Sequence, residues 1–421
     1  MIARTFLLAS ALALMGAKAQ IDTLLGPVYN TKLGPTPLNI YIPELLVDTG
    51  VARLYVADVG QSNCKRWTPG PVGQDGVNPV MVEDIVMHRP SKIAFMGSDP
   101  YRIHPNRTAG WMPGMAFLDA DYGAQGNGAV FVYDYGNDVT GTGDVRFLTK
   151  LQIQPALQSF HPHGVKILPM DGGIIRLFVV NHRAQPPYNE DALYSVVEVL
   201  DYDPATPTVL THRQTVSDPL IWTPNNVAPT GPTSFYVSND HTHRSGVART
   251  LEEYGQLPLS WITYCDFSSG TVQCLKAFDG LRGANGMNTD GQGTIFANEA
   301  LGGDTIAFTP NADKTLYVSK RYNLDYVPDN VGYDPVSKTL TPTGHPKAFD
   351  FQFFAAGTAA TAPSWVDVIK ADGTTKRVWS DDGNLLSGST VFEVDSTLNV
   401  ALVSGVFDSR GVVRCNVPKG F

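Results

Sequence analysis

Cations are few and scattered in this chain. Lys and Arg total 31 against 40 Asp and Glu, a net charge of −9, and no Lys/Arg-rich run occurs. This argues against nucleic-acid binding through a basic face, because phosphate neutralisation needs clustered cations. Long apolar runs are missing too: past the N-terminus no segment offers the ~18 apolar residues of a membrane-spanning helix. Uninterrupted helical stretches are scarce, since Gly and Pro number 40 and 30 and are scattered without period. That excludes collagen and leaves many turns. The signatures HExxH, GxSxG, a Walker loop and an opening GxGxxG are all absent. A zinc helix, a serine nucleophile elbow and a phosphate cradle therefore have no anchor. His161-Pro162-His163 and His241-Thr242-His243 have the H-x-H form of copper oxidases, yet no cysteine here has a histidine neighbour.

What is present points to one large β domain. Of the 421 residues, 43% are hydrophobic and 17% charged, so a sizeable core can form. Arg4 precedes an apolar run from Phe6 to Ala17, and Ala17-Lys18-Ala19 has the small-x-small form of a cleavage site. Residues 1–19 are therefore expected to be a secretory signal peptide, which makes the mature chain secreted and extracellular. Secretion permits disulfides among the 4 cysteines, Cys64, Cys265, Cys274 and Cys415. Of the possible pairings, Cys265 with Cys274 suits a hairpin around Ser268-Ser269-Gly270, which would leave Cys64 with Cys415 at the two ends of the chain. Asn106-Arg107-Thr108 is a glycosylation acceptor.

A weak repeat runs through residues 20–421. Short apolar strands end in a polar or small cluster: IAFMGSD from Ile93, LFVVNH from Leu177, FYVSND from Phe235, TIFANEA from Thr294 and ALVSGVF from Ala401. A further one falls near Gly344-His345-Pro346. The markers lie about 60 residues apart, with other strand-like runs between them, such as GAVFVYDY, YSVVEVLDYD, WITYCDF and KRVWSDD. About six units of about four strands each describe an all-β chain, a single β-propeller domain. A β-sandwich of this length would need many more strands than usual. The innermost strands of a propeller converge on a channel, so the marker clusters are candidates to line its mouth. Helices are expected only as single turns, at Thr250 to Tyr254 and Thr23 to Leu25.

Oxygen-bearing residues recur at positions suited to that convergence: Glu83-Asp84, Asn225-Asn226, Asn285 and Asp329-Asn330. Calcium takes about six to eight hard oxygen ligands from carboxylates, amides and water. Glu83 and Asp329 would balance its charge. Of the 9 histidines, His163 precedes a strand in SFHPHGVKIL and His182 closes the strand LFVVNH. Two imidazoles at one mouth would suit proton transfer near neutral pH.

These segments, in this order, resemble the serum paraoxonase/arylesterase family from about Asn63 to Val417. The resemblance is carried by VEDIV, SFHPHGVKIL, LFVVNH, FYVSNDH, GANGMN, VPDNVGYDPVSKTL followed by GHP, SGSTVFEV and ALVSGVFDSRGVVRCNV. It implies a six-bladed β-propeller with two calcium ions in the channel. The catalytic calcium would be held by Glu83, Asn225, Asn285, Asp329 and Asn330. A structural calcium would use Asp84, the backbone of Val165 and the position of Asn226. The family has Asp at that position, so this second site is expected to be weaker or absent. His163 and His182 fall on the family's histidine dyad, Thr390 on a pocket wall, and Cys64 and Cys415 on its ring-closing disulfide. The stretches Pro69 to Val80 and Gly110 to Asn127 are longer than expected and would shape the entrance.

The chemistry expected is hydrolysis of a lactone or an aryl or carboxylic ester by water, with calcium polarising the carbonyl. His163 is the expected base with His182 orienting it, and Asp329 is its rival. The alternative is a non-catalytic propeller that binds a ligand or protein around structural calcium. The histidine pair weighs against that reading, because a binding module needs no titratable dyad beside its metal.

Overall fold

The computed structural model describes residues 60–67, 78–102, 126–141, 143–183, 194–244, 246–417 and 421. The leader at 1–19, the turn at 23–25, Asn106 and most of the two long stretches at 69–80 and 110–127 lie outside these residues.

Strand β1 (Cys64–Arg66) is followed by five sheets in chain order. The first holds β2 (Val82–His88), β3 (Ile93–Ser98), β4 (Ala129–Asp134) and β5 (Leu148–Lys150). The second holds β6 (Gln152–Gln154), β7 (Pro162–Pro169), β8 (Ile175–Arg183), β9 (Tyr194–Tyr202) and β10 (Val209–Val216). The third runs through β11 (Pro224–Gly231), β12 (Ser234–Asn239), β13 (Ser260–Asp266) and β14 (Gln273–Leu281). The fourth runs through β15 (Ala284–Thr289), β16 (Ile295–Glu299), β17 (Asp304–Pro310) and β18 (Leu316–Asn323). The fifth runs through β19 (Val327–Asp334), β20 (Thr339–His345), β21 (Ser364–Ile369) and β22 (Thr375–Asp381). The sixth is completed by β23 (Val391–Asp395), β24 (Val400–Ser404), β25 (Val413–Cys415) and the returning β1. This is the six-bladed β-propeller.

Each blade packs between two neighbours, so its middle strands are buried on both faces. That is why β9 reads YSVVEVLDY, with every residue after Tyr194 buried, instead of alternating. Outer strands meet water: β18, LYVSKRYN, is mostly exposed. One hydrophobic cluster fills each gap between blades. Phe95 and Val130 meet Val165 and Leu177 between the first two, and Val366 and Trp379 meet Phe392 and Val403 between the last two. Ile85 and Met96 meet Val391 and Leu402 where the ring closes. A fully buried side chain of this size contributes about 1.5–3 kcal/mol.

Closure is covalent as well. Cys64 on β1 lies opposite Cys415 on β25, and the two form a disulfide. Cys265 and Cys274 face each other on β13 and β14 and form the second.

Two expectations need correction. The marker strands are β3, β8, β12, β16, β20 and β24, the second strand of each blade and not the innermost. The strands around the channel are β2, β7, β11, β15, β19 and β23, each touching the next. Helices are also longer than single turns: α1 spans Gly246–Tyr254 and α2 spans Ala348–Ala355. Helix α2, AFDFQFFA, escaped notice because its apolar residues carry no helical period. Among the described residues no helix is long and apolar enough to cross a membrane.

Candidate active site

A regular strand turns consecutive side chains to opposite faces, so adjacent residues should not both reach a channel. Five of the inner strands break this rule at the same level. The pairing of β2 with β3 slips between Val82 and Ile85, which frees Glu83 and Asp84. The same slip frees His163-Gly164 on β7, Asn225-Asn226 on β11, Asn285-Gly286 on β15 and Asp329-Asn330 on β19. In each case two residues oppose one, the definition of a β-bulge, which re-aims side chains. Five bulges thus bring Glu83, Asp84, His163, Asn225, Asn226, Asn285, Asp329 and Asn330 to one end of the channel, while His182 lies on β8 and Thr390 precedes β23.

The glycines let the inner strands approach. A Cβ on Gly286 would sit 2.3 Å from both Cα and Oδ1 of Asn330, and one on Gly164 would sit 2.6 Å from Cα of Asn226. Gly286→Ala is therefore expected to push β19 outward and destabilise the protein by about 1–3 kcal/mol. Denaturant unfolding checks this, and an unchanged midpoint would show that the channel yields freely.

Hydrogen bonds tie the cluster together across blades. Asn330 Nδ2 donates to Glu83 Oε1 at 2.5 Å, and its Oδ1 accepts from Asn226 Nδ2 at 2.7 Å. Thr390 does not line an opening through its hydroxyl, which donates to the Glu83 carbonyl at 2.7 Å and joins the last blade to the first. Asn285 Oδ1 accepts from the Gly286 N–H at 2.7 Å.

Three oxygens find no such partner. Glu83 Oε2, Asn225 Oδ1 and Asp329 Oδ1 are buried without a hydrogen-bond donor. Burial raises the pKa of Glu83 well above the carboxylate range, and the charges of Asp84 and Asp329 raise it further. Burial likewise raises Asp329, reinforced by Asp84 and Asp240. Unpaired buried carboxylates are costly, and a hard divalent cation relieves both the repulsion and the missing contacts. The donor set of carboxylate and amide oxygens fits calcium. Among the described residues no three His, Cys, Asp or Glu side chains form a metal-holding group; this set depends on its amides instead.

The histidines stand beside these oxygens. His163 Nε2 lies 3.7 Å from Glu83 Oε1 and 3.3 Å from Asn225 Nδ2. The rings of His163 and His182 meet edge to face with centroids 4.9 Å apart. His182 Nδ1 is 2.8 Å from Ser195 Oγ. Burial, then the Arg102 charge, hold His163 well below the usual histidine pKa and His182 at about 3.

Sequence reasoning missed three partners. Arg102 is buried, with Nη1 2.8 Å from His163 Nδ1 and Nη2 donating to the Pro162 carbonyl at 2.6 Å. A guanidinium only donates, so the shorter, charge-assisted contact makes His163 Nδ1 the acceptor and puts the ring proton on Nε2, which leaves the 3.3 Å approach of Asn225 Nδ2 a donor-to-donor contact and no hydrogen bond. His345 Nε2 lies 3.0 Å from Asp329 Oδ2, and its ring stacks on Phe351 of α2 at 3.5 Å. His345 was visible only as a strand end. Lys166 closes the channel below the cluster, with Nζ 2.5 Å from Asp84 Oδ2. Beyond it a cavity of ≈ 550 Å³ opens at the far end of the inner strands, lined by Met87, Pro229, Tyr264, Asn288 and Lys314. None of the unpartnered oxygens faces that cavity.

The fold and site define a six-bladed propeller with a buried carboxylate, amide and imidazole centre on its axis. The chain belongs to the arylesterase family, whose model matches residues 94–408. It is 29% identical over 241 residues to serum paraoxonase/arylesterase 1 of Mus musculus, covering 56% of this chain and 64% of that protein. It is 24% identical over 302 residues to serum paraoxonase/arylesterase 2 of Homo sapiens, covering 71% and 80%. Among solved structures, a luciferin-regenerating enzyme is similar at TM-score 0.48 and 9% identity, covering 85% of this chain and 97% of its own.

Proposed function

We propose that this chain is a secreted, calcium-dependent hydrolase of lactones and of aryl or carboxylic esters. The observation that carries the reading is the set of unpartnered buried oxygens on Glu83, Asn225 and Asp329 beside two buried imidazoles. Family membership supports the ester class, and two disulfides suit an oxidising compartment.

Glu83, Asn225, Asn285, Asp329 and Asn330 would hold the calcium. When bound, it supplies Lewis acidity toward the substrate carbonyl oxygen. The remaining work falls to side chains of this chain. Arg102 occupies His163 Nδ1, so His163 offers Nε2–H as a donor and has no lone pair free for a proton. That favours Asp329 over His163 as the base. Asp329 Oδ1 takes the proton of the attacking water, while His345 fixes the other carboxylate oxygen. The departing alkoxide then recovers that proton. His182 packs against His163 and keeps its ring in place.

The test is hydrolysis of phenyl acetate and a panel of lactones by the purified protein, with calcium and then with excess EDTA. Turnover that vanishes in EDTA and returns with calcium is the expected result. Turnover that persists in chelator would overturn the calcium assignment, and a folded, calcium-bound protein inert on every substrate would overturn the enzyme.

A further inference from the structure

Asp84 lies immediately beside Glu83, yet its surroundings are of the opposite kind. Its Oδ2 accepts from Lys166 Nζ at 2.5 Å, from the Val165 N–H at 2.9 Å and from Asn226 Nδ2 at 3.0 Å. Its Oδ1 accepts from the Ile85 N–H at 3.0 Å. Every one of these groups is a donor. Asn226 turns its amide nitrogen to Asp84 and spends its oxygen on the Val227 N–H at 2.8 Å. Lys166 and Asp84 are 3% and 0% exposed, so the ammonium is walled into the channel.

A hard cation needs converging oxygens, and this position offers N–H groups and a fixed positive charge. The charges also balance without a metal. Where the family resemblance implies a second carboxylate, this chain has the neutral Asn226; Asp84 meets the Lys166 ammonium, and the nearby buried Glu393 pairs with Arg89 at 3.3 Å. We propose that the Asp84 position takes no divalent cation, because Lys166 is its built-in cation, and that the channel holds at most the one calcium described above. The proposal rests on the calcium reading only for that first ion. Lys166 thereby becomes a positioning residue: it anchors Asp84, and through Asn226 it fixes the orientation of Asn330 beside Glu83.

The experiment counts calcium bound per chain after dialysis against calcium buffer, on the full protein and two double variants. The native chain is expected to retain one ion. Lys166→Ser/Asn226→Asp restores an oxygen-rich pocket and is expected to retain one ion more than the native chain, with a melting temperature that now rises with calcium. Asp84→Asn/Lys166→Met removes both charges together, avoids an unpaired buried ion, and is expected to keep the native count. Two ions on the native chain, no gain in the first variant, or a loss of one ion in the second would each overturn the proposal. A native count of zero with a gain of one in the first variant would instead remove the catalytic calcium while upholding the role of Lys166.

Discussion

Asp329→Asn is expected to reduce ester or lactone hydrolysis by about 10³-fold or more, because it removes a proposed base and a calcium-neutralising charge together. His163→Ala is expected to cost about 10²-fold, the usual weight of a positioned donor in an active site. The informative variant is His163→Gln. A glutamine amide places an N–H near the position of Nε2 but accepts no proton. If His163 acts as a donor, Gln should recover about tenfold of what Ala loses. If His163 is the base, Gln and Ala should be equally damaged, while Asp329→Asn should keep substantial activity once calcium is raised to saturate the weakened site. Steady-state kinetics of the three variants at saturating calcium separates these outcomes. The expectation of Gln recovery follows from Arg102, whose guanidinium leaves His163 Nδ1 no proton of its own.

Breaking Cys64–Cys415 is expected to cost more stability than breaking Cys265–Cys274. The bridge spans a sequence separation of 351, against 9 for Cys265–Cys274. Chain entropy assigns about 6 kcal/mol to the long loop and about 2–3 kcal/mol to the short one. The long bridge also ties β1 to β25 within the sixth blade, where Cys415 packs with Trp379, Phe392, Val403 and Val413. Cys64→Ser/Cys415→Ser should therefore lower the unfolding midpoint well below that of Cys265→Ser/Cys274→Ser. Equal midpoints in guanidinium would mean that strand pairing alone closes the ring.

Much of the architecture was legible because a propeller repeats. Each blade needs buried strands bounded by turns, and that rhythm survives in apolar runs such as LFVVNH and FYVSND. The runs marked second strands and not first ones, since the inner strands carry polar pairs and glycines that weaken their strand character. The oxygen-rich pairs themselves were readable one by one. Their common bulge was not, because a bulge is a property of two strands and neither sequence shows it alone. Arg102 and Lys166 left no local signal for the same reason: their partners lie at His163 and Asp84, on other strands. His345 and Phe351 met only once α2 was in place.

The five bulges also mark where this chain can be shortened. Losing one residue inside a strand ordinarily inverts every side chain beyond it, so buried strands resist deletion. At Glu83-Asp84, His163-Gly164, Asn225-Asn226, Asn285-Gly286 and Asp329-Asn330 the partner strand offers one residue against two. Removing one of the pair would restore regular alternation and leave the flanking register intact. Such shortening would spare the barrel of blades while erasing the chemistry at its axis. A lineage could therefore shed the proposed site one codon at a time and keep a folded propeller, free to take up a different role.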